Sequence, residues 1–314
     1  MNSDGDQVDS GSAASGATAA PATIDAATAL GQARRLGLPR LDALCLLEAL
    51  SNKPRAWLIA HDDVDLGPGT ATRWTDLLKR RLAGEPLAYL VGGREFHGLW
   101  LDVNPAVLDP RPDTETLVDW AIEILGQDVK TTPHVLDLGT GSGAIALAIK
   151  NATPTADVTA VDLSPDALAT ARNSGERLGL PVRWLLGDWW QALDPLTREG
   201  AATRRFDLIV SNPPYIAEHD PHLPALHHEP TQALVSGFDG LDALRVLVAQ
   251  AGDWLQCGAW LLLEHGHDQA AAVAELFGTP PVCGGHWVDV THRLDLPGHV
   301  RCTGARWLTA KPAS

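Results

Sequence analysis

From His134 onward, short apolar runs alternate with segments of helical period, and this alternation restricts the fold more than any other feature of the chain. The first run, Val135-Leu136-Asp137-Leu138, passes into Gly139-Thr140-Gly141-Ser142-Gly143 and then into a helix over residues 144–150. Further strands are predicted over residues 158–161, 182–186 and 206–210, each an apolar or β-branched run bounded by breakers. A helix over 241–255, a strand over 259–264, a helix over 269–277 and two final strands around Val288 and Cys302 complete the pattern. Such a chain predicts an α/β fold: a Rossmann-like, mostly parallel seven-stranded sheet with helices on both faces and the last strand pair antiparallel.

In open sheets of this kind ligands bind beyond the C-terminal strand ends, and four candidate groups fall there. Gly139, Gly141 and Gly143 allow a sharp turn and close approach of backbone to a ligand, with Thr140 and Ser142 between them, and the next helix offers free N–H groups. The spacing is not the dinucleotide G-x-G-x-x-G, and no Walker lysine follows, so a smaller nucleoside ligand is expected. Asp162 ends the second strand where such sheets place a ribose hydroxyl acceptor; with Ser164 and Pro165 it also reads as a helix cap. After the third strand, Asp188-Trp189-Trp190 offers an indole to stack on a purine, with one of the two tryptophans serving as core.

The fourth strand delivers Asn212-Pro213-Pro214-Tyr215. Two prolines remove two N–H donors and fix φ, leaving carbonyls available and the Asn212 side chain in one orientation. The Asn212 side-chain oxygen and a neighbouring carbonyl can each accept one N–H from a planar –NH2 group, with the Tyr215 ring face in the same plane. The plainer reading of the tetrapeptide is a stiff turn after a strand.

The first residues, 1–23, are Ser, Gly, Ala and Asp with almost nothing to bury, and read as a disordered tail. Residues 24–92 show helical periodicity broken at Gly37-Leu38-Pro39, Lys53-Pro54 and Gly67-Pro68-Gly69, which predicts a small helical domain. It serves either as packing support or as the docking site of a macromolecular partner. Residues 93–112 form a hairpin linker: one strand over 94–103, a turn at Asn104-Pro105 and a second strand through Leu108. Residues 113–314 form the sheet domain, opening on a helix with Asp113, Thr114 and Glu115 in its first turn.

Net charge −15 argues against general nucleic-acid binding, which needs clustered Lys and Arg, and favours a basic partner surface. Cys45, Cys257, Cys283 and Cys302 are widely spaced without a CxxC, which suits a reducing compartment. With no apolar leader and no membrane-length run, a cytoplasmic protein is expected. His219, His222, His227 and His228 lie on a loop over 218–228 in no zinc-like spacing, so no metal is expected.

These motifs together resemble the class I S-adenosylmethionine-dependent methyltransferases that modify planar nitrogens. The resemblance narrows through Gly93-Arg94-Glu95-Phe96, Pro110-Arg111-Pro112-Asp113-Thr114-Glu115, Asp137 to Ala146, Ser211 to Ile216, Glu229-Pro230 and Leu262-Leu263-Glu264-His265-Gly266 to the PrmC/HemK protein-glutamine methyltransferases. It runs from about Ala27 to Trp307 and implies methyl transfer to the glutamine of the Gly-Gly-Gln loop in class I peptide-chain release factors. It further implies that Gly139, Thr140, Gly141, Ser142 and Gly143 surround the methionine part of the cofactor, that Asp162 holds the ribose and that Trp189 neighbours the adenine. Asn212, Pro213, Pro214 and Tyr215 would hold the substrate glutamine, with Asn212, Pro213 and Tyr215 catalytic and Asn212 also beside the cofactor. Asp109 departs from the aliphatic residue expected before Pro-Arg-Pro, which puts the packing of the hairpin in question. Rival readings are glutamine methylation of a ribosomal protein, adenine methylation of DNA through the same corner, and a cofactor-binding protein without turnover.

Overall fold

The computed structural model describes residues 22–127, 130–194, 205–279 and 284–309, so nearly all of the expected tail lies outside the described residues. The chain divides between Leu82 and Ala83 into two compact units. The first contains α1 (Ala26–Arg35), α2 (Arg40–Ser51), α3 (Arg55–Ala60) and α4 (Thr70–Leu82). Asp25 caps α1 by accepting the Thr28 N–H at 2.6 Å, and α2 stops where Asn52 turns left-handed at φ 53°. Leu44, Leu47, Leu58 and Trp74 fill the core of this unit, and the Trp74 indole donates to Gln32 Oε1 at 2.9 Å.

The second unit opens with α5 (Leu87–Val91). Sequence periodicity groups this helix with the helical domain, whereas in the structure Tyr89 packs with Val103, Val107 and Ala167 and donates its hydroxyl to the Val107 carbonyl at 2.6 Å. The hairpin also differs from expectation. Residues 94–103 are not one strand but two, β1 (Gly93–Phe96) and β2 (Leu99–Asp102), paired antiparallel. His97 at φ 49° and Gly98 at φ 78° form the two-residue turn between them, a mirror-image turn whose twist suits a hairpin. The His97 N–H donates to Glu115 Oε1 at 3.0 Å, which ties the turn to the next helix.

After α6 (Glu115–Gln127) come β3 (His134–Leu138), α7 (Ala144–Ala152), β4 (Asp157–Asp162), α8 (Pro165–Leu178), β5 (Arg183–Leu186) and β6 (Phe206–Ser211). They are followed by α9 (Asp242–Gln250), β7 (Leu255–Glu264), α10 (Ala270–Gly278), β8 (Gly285–Leu294) and β9 (Val300–Thr309). The predicted helix over 241–255 is shorter than expected: it closes with a 3-10 turn, Ala251–Asp253, and the strand already begins at Leu255. Gly258, at φ 90°, lies in an irregular stretch of the β6–β7 pairing, which hides the strand start from a reading based on regular alternation.

The sheet order is β5-β4-β3-β6-β7-β9-β8, parallel throughout except for β9, which runs antiparallel to both of its neighbours. Side chains alternate across it. Val135, Leu208 and Val210 pack with Leu117, Val118 and Leu147 on one face, while Leu136, Leu138 and Ile209 pack with Leu244, Leu247 and Phe277 on the other. The order in which strands are added reverses at β3, outward to β5 on one side and on from β6 on the other, and the C-terminal ends of the parallel β3 and β6 open the crevice in which such sheets bind ligands.

Candidate active site

A cavity of about 440 Å³ sits over that crevice and is lined by Gly139 to Ser142, Asp162, Trp189, Asn212 and Pro214, with Thr114 and Arg111 on one wall. Its floor is the glycine turn. Gly139, Gly141 and Gly143 all take positive φ (74°, 56° and 82°), the region that disfavours any other residue. Gly143 does not line the cavity but packs beneath it, where an added Cβ would come within 3.0 Å of Ala171. Thr140 donates its hydroxyl to Asp137 Oδ2 at 2.6 Å. Burial pushes the Asp137 carboxyl up to about 7.

Asp162 serves the loop as well as the pocket. Oδ2 accepts the Gly141 N–H and Oδ1 the Ser164 N–H, both at 2.8 Å, and each oxygen keeps a lone pair for a ligand hydroxyl. Burial raises its pKa, against the pull of the Ser164, Gly141 and Leu163 backbone N–H groups. The helix cap itself is Ser164, whose side chain accepts the Ala167 N–H at 3.2 Å. The two tryptophans separate as the sequence suggests: Trp190 is buried and donates its indole N–H to the Val246 carbonyl at 3.2 Å, while Trp189 lines the cavity. An added Cβ on Gly139 would lie 3.2 Å from the Trp189 ring, so the absence of a side chain there is what lets the indole lie beside the turn.

Asn212 and Pro214 face the cavity, whereas Pro213 is buried and Tyr215 packs against the core with its hydroxyl 3.4 Å from Glu264 Oε1. Asn212 Nδ2 donates to Thr114 Oγ1 at 3.1 Å, leaving its Oδ1 to accept from a ligand. The backbone behind Tyr215 is held by Gln269 Nε2, which donates to the Tyr215 carbonyl at 3.0 Å, and by a parallel bridge from Ile216 to Val235.

Sequence reasoning missed the polar frame around these groups. Glu229, with its side chain 3% exposed, takes the Arg111 guanidinium at 2.6 Å and the Asp109 N–H at 3.2 Å. Asp109 in turn takes Arg94 at 2.8 Å, so the residue that departs from the expected aliphatic is a buried acid with its own cation. The loop before Glu229 holds a 3-10 turn at Leu223–Leu226. The signal available in the sequence was the pairing of Pro110-Arg111-Pro112 with Glu229-Pro230, two motifs more than a hundred positions apart.

The seven-stranded sheet with one antiparallel strand, and the glycine turn, acid and Asn-Pro-Pro-Tyr corner at its C-terminal edge, define a class I S-adenosylmethionine-dependent methyltransferase fold. The chain belongs to the release factor glutamine methyltransferase family. The protein of that name from Bordetella pertussis is 47% identical over 270 residues, covering 85% of this chain and 95% of its own. The one from Burkholderia pseudomallei is 44% identical over 288 residues, covering 89% and 96%. Family profiles for the PrmC N-terminal domain and the methyltransferase small domain match residues 22–92 and 114–236. Among solved structures, the protein-(glutamine-N5) methyltransferase (release factor-specific) from Alicyclobacillus acidocaldarius is 34% identical, covers 67% of this chain and 99% of its own, and superposes with a TM-score of 0.41.

Proposed function

We propose that this chain transfers a methyl group from S-adenosylmethionine to the side-chain amide nitrogen of the glutamine in the Gly-Gly-Gln loop of class I release factors, in the cytoplasm where those factors act. The observation that carries the reading is the Asn212 carboxamide, anchored through its nitrogen to Thr114 and lining the same cavity as the glycine turn.

The residues present fit the cofactor. Gly139 and Gly141 line the cavity and carry no side chain to hold a ligand off their backbone, Asp162 keeps a lone pair on each oxygen for ribose hydroxyls, and Trp189 offers a ring to the adenine. When bound, S-adenosylmethionine supplies a methyl group made electrophilic by its sulfonium charge.

The remaining work falls to the chain. An amide nitrogen is a poor nucleophile because its lone pair is delocalised into the carbonyl. Asn212 Oδ1 and the Pro213 carbonyl accept its two hydrogens, raise electron density on nitrogen and fix its direction of attack. Alignment rather than acid or base chemistry carries the rate. One proton leaves after the new N–C bond has formed, and water takes it. Pro214 and Tyr215 hold the corner rigid.

Net charge −15 and the identity to release factor enzymes over most of the chain support a protein substrate over DNA. Mass spectrometry of the Gly-Gly-Gln peptide, after incubation of release factor with S-adenosylmethionine and either wild type or Asn212→Ala, tests the reading. One methyl group with wild type and a loss of about 10²–10³ in rate with the variant is expected, the size of a lost preorganised contact. An unmodified peptide with folded, cofactor-binding wild type would refute it.

A further inference from the structure

We propose that Phe238 is a specificity-determining residue for the protein substrate: its exposed ring packs on the side-chain-free Gly-Gly peptide that carries the glutamine into the cavity. This rests on the reading of the substrate as a Gly-Gly-Gln loop delivered to Asn212. Phe238 follows directly on Val235, Ser236 and Gly237, which line the cavity, and it is 79% exposed. A single exposed apolar side chain is ordinary on a protein surface and needs no partner. Phe238 differs in how the chain beneath it is built.

The turn from Gly237 to Gly240 is locked at both ends. Both glycines take positive φ, 72° and 78°, where any other residue is strained. An added Cβ on Gly237 would collide with the Asp242 carboxylate, and one on Gly240 with the Tyr215 carbonyl oxygen, so the turn sits directly on the corner that Asn212 to Tyr215 form. The Gly237 carbonyl accepts the Glu218 N–H at 3.0 Å. The Asp239 carboxylate accepts the Leu241 N–H at 3.1 Å and Arg245 Nη1 at 2.9 Å. The His219 ring meets the Phe238 ring at 85°, with 6.3 Å between centroids. A large apolar ring is thus held in a fixed place in solvent, beside the cavity and the Asn-Pro-Pro-Tyr corner.

Reach and chemistry together identify what covers it. The groups that fit the cofactor follow β3, β4 and β5, whereas Asn212 follows β6, so the polypeptide that brings a glutamine to Asn212 crosses the rim on the β6 side. From Cα to amide nitrogen a glutamine spans about 5 Å, and each further residue adds about 3.5 Å of chain. The residues next to the glutamine therefore lie over the first side chains outside the cavity, and Phe238 is one of these. The two residues before the glutamine carry no side chains, so the substrate offers only peptide planes and Cα hydrogens there. A flat apolar ring lies against such a surface at van der Waals distance, and a Cβ on the substrate would hold it off. The ring both adds apolar contact and rejects a loop that has a side chain next to the glutamine.

The test measures steady-state methylation by wild type, Phe238→Ala and Phe238→Tyr at saturating S-adenosylmethionine, alongside cofactor affinity and melting temperature. The substrates are release factor with its natural loop and release factor in which the glycine next to the glutamine is replaced by alanine. Phe238→Ala is expected to raise KM for the natural loop about tenfold, the lower range for burying an aromatic side chain, with kcat, cofactor affinity and melting temperature near wild type. Phe238→Tyr keeps the ring and restores KM. The altered loop raises KM for wild type but adds no further rise in Phe238→Ala, because the two changes remove one contact. Wild-type KM in Phe238→Ala would overturn the proposal; if that variant also loses self-association in analytical ultracentrifugation, the ring belongs to a contact between two copies of this chain. Penalties that simply add would overturn the pairing of ring and glycine. No methylation of the natural loop by folded, cofactor-binding wild type would instead overturn the reading of the substrate on which the proposal rests.

Discussion

Replacing Gly139 by alanine separates two costs that the structure makes countable. The first is conformational. Gly139 sits at φ 74°, where an L-residue costs about 1–2 kcal/mol, and that cost falls on the folded state whether or not a ligand is bound. For a domain of this size it lowers the melting temperature by about 2–8 °C. The second cost is local. The new Cβ would stand 3.2 Å from Cζ3 and 3.4 Å from Cη2 of Trp189, so the indole must move by a few tenths of an ångström.

If Trp189 lies against the adenine, that displacement weakens cofactor binding by about tenfold, the upper range of an aromatic contact. Gly179→Ala provides the control, because Gly179 has φ 69° with nothing within 4 Å of its Cβ, so it carries the first cost without the second. Differential scanning fluorimetry should show similar destabilisation of both variants. Calorimetric titration with S-adenosylmethionine should show weakened binding only in Gly139→Ala. Equal, wild-type affinity in both would show that Trp189 is not the neighbour of the cofactor.

Other consequences follow from the polar frame. Arg111→Met leaves the buried Glu229 carboxylate without its guanidinium, a local cost of about 3–5 kcal/mol, so the segment around Glu229 should lose hydrogen-exchange protection before the sheet does. Asp137 has a folded pKa of about 7, raised above its unfolded value, so its stabilising contribution is complete at low pH and is lost as pH rises toward 7. Asp137→Asn should therefore raise the melting temperature at pH 8, by an amount on the order of a few kcal/mol of stability, and change it little at pH 4. Leu41 is 57% exposed on α2, so Leu41→Asp should leave folding intact; if the helical unit docks the release factor, KM for that substrate rises while cofactor affinity stays unchanged.

What the sequence made legible was local. The strands ending at Leu138, Asp162 and Ser211 announce themselves by apolar runs and breakers, and the glycine turn and Asn-Pro-Pro-Tyr follow directly from them, so their convergence at one sheet edge could be anticipated. The His97-Gly98 turn was hidden because alternation continues through it; only two positive φ values mark the reversal. The Arg111–Glu229 and Asn212–Thr114 pairs join residues 118 and 98 positions apart, and nothing in periodicity links them. Asp109 looked like an anomaly because its partner, Arg94, becomes visible only once the hairpin closes.

The most direct measurement offers the protein two forms of one release factor, the natural Gly-Gly-Gln loop and a Gly-Gly-Glu variant, with methyl-labelled S-adenosylmethionine, and follows the label by peptide mass spectrometry. The account predicts one labelled methyl on the glutamine side chain and none on the variant, because only an amide brings two N–H donors to Asn212 Oδ1 and the Pro213 carbonyl. Equal labelling of both forms, or label at another residue, would contradict it.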